Sequence, residues 1–72
     1  MGKSFKPGLY KHFKGGTYQA FFLAKHSEDR EREFVVYKSL EQGSMWIRPL
    51  EMFMEEVERD GYKGPRFQYL GE

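Results

Sequence analysis

Turn signals recur along this chain too closely for long helices to fit between most of them. Pro7-Gly8, Lys14-Gly15-Gly16, Glu41-Gln42-Gly43-Ser44 and Asp60-Gly61 each supply the fixed φ of proline or the positive φ that glycine tolerates. The segments between them alternate as strands do. Leu9, Lys11 and Phe13 share one face of the first, with Tyr10 and His12 on the other. Thr17 to Ala24 returns, with Tyr18, Ala20, Phe22 and Ala24 on one side and Gln19, Phe21 and Leu23 opposite. Both faces are apolar, which places this strand centrally in a sheet. Phe34-Val35-Val36-Tyr37 has the strongest β-branched and aromatic content. Met45-Trp46-Ile47-Arg48 is a short strand stopped by Pro49.

The stretch after Pro49 admits two readings. Leu50, Phe53, Met54 and Val57 follow helical spacing, with Pro49 suited to a first helical position and Gly61 to a C-cap. Against a single helix to about Arg59, Asp60-Gly61 is a hairpin turn, and Arg48 offers no capping oxygen. The favoured expectation is one helical turn over residues 50–54, then a hairpin. The fold class is therefore all-β: a small SH3-like barrel of about five short antiparallel strands, whose closure removes exposed edges.

With 72 residues the chain is one domain, residues 1–7 forming a loose lead-in. A domain this small buries only about 60% of its unfolded surface, which leaves little room for a deep catalytic cleft. Its apolar residues are unusual: seven Phe, five Tyr and one Trp stand against five Leu, four Met, three Val, two Ala and one Ile. The core must be built on rings, and Phe21, Phe22, Phe34, Phe53 and Phe67 are the expected members. There is no cysteine, so disulfides, thiolate metal sites and cysteine nucleophiles are excluded. An unstapled domain of this size points to a reducing cytoplasm. No run has the length of a signal peptide or a membrane span.

Several segments resemble a known family. Tyr10-Lys11-His12-Phe13-Lys14-Gly15, Tyr18, Ala24-Lys25-His26-Ser27-Glu28, Val35-Val36-Tyr37, Trp46-Ile47-Arg48-Pro49-Leu50-Glu51-Met52-Phe53, Asp60-Gly61 and Pro65-Arg66-Phe67 follow its order and spacing. The family is a small bacterial domain of unknown function, numbered 1653, and the likeness runs from about Gly8 to Leu70. It implies an SH3-type small barrel in a short bacterial cytoplasmic protein and no particular activity. Where this chain has Gly64, family members commonly carry an aliphatic residue, which implies a weaker strand here.

No catalytic constellation stands out. His26-Ser27-Glu28 makes better sense as a turn than as a nucleophile and base, since sequence neighbours seldom reach one another productively. His12 and His26 with a carboxylate could ligate a metal only if the first hairpin's register brought them together. Glu55, Glu56, Glu58 and Asp60 read as a solvated face, without the apolar pocket that splits the pKa values of a working carboxylate pair. Lys14-Gly15-Gly16 is a hairpin tip, with none of the phosphate-loop pattern. The expectation is a non-enzymatic binding module with no cofactor and no metal.

The candidate binding residues are Tyr10, His12, Lys14, Tyr37, Trp46 and Arg48. If Met45 and Ile47 point into the core, Trp46 and Arg48 point out, and Tyr10, His12 and Tyr37 alternate away from the core in the same manner. Together they would form an aromatic and cationic platform. The first expected partner is a protein or peptide. The alternative is single-stranded nucleic acid, with bases stacked on rings and phosphates on lysines. No membrane partner is expected, and the oligomeric state is open. The competing reading places Trp46 in a core so poor in aliphatic residues that it needs its rings inside, and pairs Arg48 with Glu51 or Glu55. Charge placement separates the two partner classes. Residues 1–27 carry five lysines and no acid, while residues 51–60 carry five acids and one arginine. Neutralisation of the first by the second would favour a protein partner; separation would favour nucleic acid.

Overall fold

The computed structural model describes residues 5–72. Seven strands and one short helix follow in order: β1 (Gly8–His12), β2 (Thr17–Lys25), β3 (Glu33–Ser39), β4 (Met45–Pro49), α1 (Leu50–Phe53), β5 (Glu56–Arg59), β6 (Tyr62–Pro65) and β7 (Phe67–Gly71). Five form an antiparallel sheet in the order β4-β3-β2-β1-β7, and β5-β6 make a separate hairpin. The chain is thus mainly β, as expected. The two strands beyond the anticipated five come from the closing stretch, where β6 and β7 are separate and β5 pairs only with β6.

Local chemistry accounts for the connections. Gly15 and Gly16 take φ of 106° and 89° at the β1–β2 turn. Asp60 and Gly61, at φ of 50° and 81°, turn β5 into β6 with the two positive-φ residues a tight hairpin requires. α1 is a single turn, and the hairpin follows it directly, so the acidic run is not one helix. Pro49 ends β4 and caps α1 without a side-chain bond, one place before the first helical position expected for it. At position 64 the Tyr62 hydroxyl, donating to the Pro65 carbonyl at 2.9 Å, lies where a side chain would begin. The Tyr62 ring thus occupies the space that any side chain at position 64 would need.

The core is built of rings. Phe53 is 1% exposed and stacks on Phe67 with centroids 4.2 Å apart and planes 7° from parallel. Tyr10 and Tyr37 meet Phe53 edge-on at 5.0 and 5.5 Å. Ala20 and Val35 fill the remaining space from β2 and β3. The sheet is curled enough for its two edge strands to meet over this core: the Arg48 guanidinium on β4 lies 5.7 Å from the Phe67 ring centre on β7.

The N-terminal lead-in is attached where it is described. Phe5 packs against Tyr10 and Phe53, and the buried Tyr10 hydroxyl donates to the Lys6 carbonyl at 2.6 Å. The expected looseness therefore does not hold from Phe5 onward, and residues 1–4 lie outside the described residues.

Three of the five expected core phenylalanines sit elsewhere. Phe22 is 58% exposed, Phe21 is partly exposed and Phe34 is only partly buried; Phe53 and Phe67 are in the core. Phe34 alternates away from the buried Val35; on β2 the cause is a bulge. β2 pairs Ala20 with Tyr37 but Phe22 with Val36, so Phe21 is the extra residue. A bulge shifts the alternation by one position. Ala20 therefore faces inward, Phe22 outward and Leu23 inward again.

Candidate functional site

Alternation groups the expected site residues correctly and puts the group on the wrong side. In the β3–β4 register Tyr37 lies opposite Trp46, and Val35 opposite Arg48. Directly paired residues share a face, and Val35 and Tyr37 are buried. Trp46 and Arg48 therefore belong to the inward row, while Met45 and Ile47, expected in the core, are 57% and 63% exposed on the outer face. Tyr10 and Tyr37, expected to face solvent, are core residues. A flat external platform of Tyr10, Tyr37 and Trp46 does not exist.

What replaces it lies where β1, β4 and β7 end their inward rows. His12 meets the Phe67 ring edge-on at 4.9 Å, on the same ring that Arg48 approaches. Arg48 Nε faces the Tyr37 hydroxyl at 3.4 Å. Tyr18 closes the wall, edge-on to Tyr37 at 5.5 Å and to Phe67 at 5.6 Å. Trp46, two places before Arg48 on the same row, is half-exposed at the rim, with its indole N–H donated to Ser44 Oγ at 2.8 Å. It is neither a core residue nor a free platform: one end of the ring is held and the remainder is open.

Arg66 joins this cluster and was not among the expected site residues. It precedes Phe67, and its Nη2 binds Glu55 Oε1 at 2.9 Å. Its Nε is buried without a hydrogen-bond partner. The sequence carried a usable signal for it: an arginine beside a core phenylalanine is brought to the same end of the sheet as that ring. Arg48 pairs with neither Glu51 nor Glu55, and Glu55 pairs with Arg66 instead. Among the described residues, no lysine of the stretch up to residue 27 and no atom of Arg48 forms an ion pair. The acids at 51–60 therefore neutralise neither of them. Lys14 lies over Phe13 at 5.9 Å, and its backbone N–H donates to His12 Nδ1 at 3.1 Å.

The charges converge on His12. Burial, then Arg48, Arg66 and Lys14, hold its imidazole below the usual value of 6.5. The folded protein thus resists protonating His12, while the unfolded chain accepts the proton below about pH 6.5. A depressed folded-state value gives stability that is present above the unfolded value and is lost as pH falls through the folded one. Chemical denaturation midpoints should fall from about pH 6.5 downward. His12→Gln should flatten that slope; an equal slope in the variant would place the effect elsewhere.

The other candidates resolve plainly. His26 Nδ1 accepts the backbone N–H groups of Glu28 and Asp29, both at 3.1 Å, so the turn is real but His26, not Ser27, caps it. No group of three His, Asp or Glu residues able to hold a metal ion occurs among the described residues. No described helix is long and apolar enough to cross a membrane.

A second surface was hidden from sequence reasoning. Phe22 on β2, Val36 on β3 and Ile47 on β4 lie in register on the outer face, with Met45 beside them. β4 is a sheet edge, so this apolar face ends at backbone groups open to a further strand.

Comparison with known proteins gives two findings. A family described as "Protein of unknown function (DUF1653)" matches residues 8–69. A crystal structure of a DUF1653 protein from Bordetella bronchiseptica is similar at 37% identity and a TM-score of 0.85, covering 94% of this chain and 90% of that one. No curated protein matches the chain.

Proposed function

The chain belongs to the DUF1653 family, and since that membership carries no activity, we propose from its own surface that it is a non-catalytic binding module for single-stranded nucleic acid. One observation carries this reading. Arg48 and Lys14 stand beside Arg66 and His12 without an acid of their own, next to a half-exposed tryptophan. Unpaired cations next to an open ring are what a strand needs, with phosphates held by charge and a base stacked on the indole. A base–ring stack contributes about 1–3 kcal/mol and tolerates any sequence. The curled sheet closing over its rings is consistent with an SH3-type small barrel. A cysteine-free chain with a bacterial relative suits a bacterial cytoplasm.

Trp46 is the only tryptophan, so its fluorescence reports this site alone. A mixed-sequence single-stranded oligonucleotide should quench it at low salt. Backbone amide shifts should gather at His12, Lys14, Trp46 and Arg48, and both effects should weaken as salt rises. No change at low salt would overturn the reading.

A protein partner remains the second reading, on a different surface. It rests on the outer apolar row of Phe22, Val36 and Ile47 beside the open edge of β4. Exposed apolar patches of this kind commonly serve association, and a strand added to β4 would extend the sheet.

A further inference from the structure

The cationic end of the sheet holds more positive charge than a nucleic-acid backbone needs at one point. Arg48, Arg66 and Lys14 all lie close enough to act electrostatically on His12. Among the described residues only Glu55 offsets them, through Arg66. Two positive charges are left over. A backbone phosphodiester carries one negative charge, whereas a phosphate monoester carries about −1.5 to −2 near neutral pH.

The donors are arranged for such a group. The planar Arg48 guanidinium spends only its Nε on Tyr37, at the long distance of 3.4 Å, and leaves its terminal nitrogens open. A guanidinium fork matches two phosphate oxygens at once. Arg66 is paired with Glu55, so it adds no net charge, and its Nε is closed off from solvent. His12 accepts a backbone N–H at Nδ1, so its neutral ring carries the proton on Nε2 as a further donor. Trp46 lies two residues from Arg48 on the same row, roughly 7 Å along a strand, a separation that one nucleotide spans between its phosphate and its base.

We propose that His12 and Arg48, with Lys14 beside them, form a subsite for the terminal phosphate of a nucleic-acid strand, with the end nucleotide's base on Trp46. This rests on the reading that the cationic end binds single-stranded nucleic acid. It predicts a preference for ends that carry a phosphate over interior backbone.

The test uses one oligonucleotide in three forms: phosphorylated at the 5′ end, phosphorylated at the 3′ end, and bare at both. Trp46 fluorescence gives the affinity, and the His12 ring resonances report the subsite. One phosphorylated form should bind at least tenfold tighter than the bare strand and shift the His12 ring. Inorganic phosphate should compete away that advantage. Arg48→Lys keeps the charge but loses the fork, and should cut the ratio of phosphorylated to bare affinity to about threefold or less, whatever it does to the bare strand's own affinity. Equal binding of all three forms would overturn the terminal-phosphate subsite and leave the nucleic-acid reading standing. No binding of any form at low salt would overturn both.

Discussion

Replacing Phe53 by alanine is expected to abolish cooperative folding. Its ring touches Phe5, Tyr10, Tyr37 and Phe67, and with 1% exposure nothing but protein surrounds it. Truncating a buried phenylalanine costs about 3–5 kcal/mol, from lost transfer energy and the cavity left behind. A chain of 72 residues has a total stability of roughly 4–10 kcal/mol. The loss is therefore comparable to the whole. It cannot be absorbed by collapse, because among the described residues Ala20, Val35 and Val57 are the only buried aliphatic ones. Phe22→Ala is the matching control. That ring is 58% exposed on the outer face, and its removal should cost about 1 kcal/mol or less. Thermal melts followed by circular dichroism, with an amide spectrum of each variant, separate the two. A sharp, near-native transition in Phe53→Ala would mean that the ring stack is not what holds the sheet closed.

The second large effect is on binding. Arg48→Gln should weaken single-stranded oligonucleotide binding by roughly 10- to 100-fold, the range given by hydrogen bonds to charged groups at about 1.5–3 kcal/mol. The same change should move the melting temperature by only a few degrees. Arg48 has no acid partner among the described residues and adds to the positive charge already around His12. Removing it relieves repulsion and deletes no ion pair, which offsets the loss of the long Tyr37 contact and of the approach to the Phe67 ring. A second readout is independent of any ligand. Arg48 helps to hold the His12 imidazole down, so its loss should move the His12 titration upward toward the ordinary value. Intact affinity in Arg48→Gln would remove the cationic cluster from recognition and leave the outer face of β2, β3 and β4 as the better surface.

Much of the architecture was legible without coordinates. Gly15-Gly16 and Asp60-Gly61 marked two hairpins because few other residues tolerate their positive φ values. Apolar residues on both faces of β2 marked it as central, and it occupies the middle of the five-stranded sheet. The hairpin signal outweighed the helical spacing after Pro49 because a two-residue turn constrains the chain more sharply than four apolar positions do. The cluster itself was partly legible. His12, Trp46 and Arg48 were recognised as lying on shared faces, and the shared-face part of that reading holds.

Sequence alone determined the class of fold, the turns and which side chains travel together. Tertiary structure alone decided which side of the sheet is the inside. Strand alternation has a period of two and no sign: it sorts residues into two sets without saying which set is buried. Ordinarily polarity breaks the tie. Here it cannot, because Phe22, Phe34, Val36 and Ile47 on one face are as apolar as Ala20, Val35 and Tyr37 on the other. The bulge at Phe21 then exchanges the two sets partway along β2, and no local signal announces it. What settles the matter is the position of Phe53 and Phe67, whose stacked rings need a concave wall. The sheet curls toward them and carries Tyr10 and Tyr37 inward. Arg48, His12 and Arg66 are left where the wall ends and water begins.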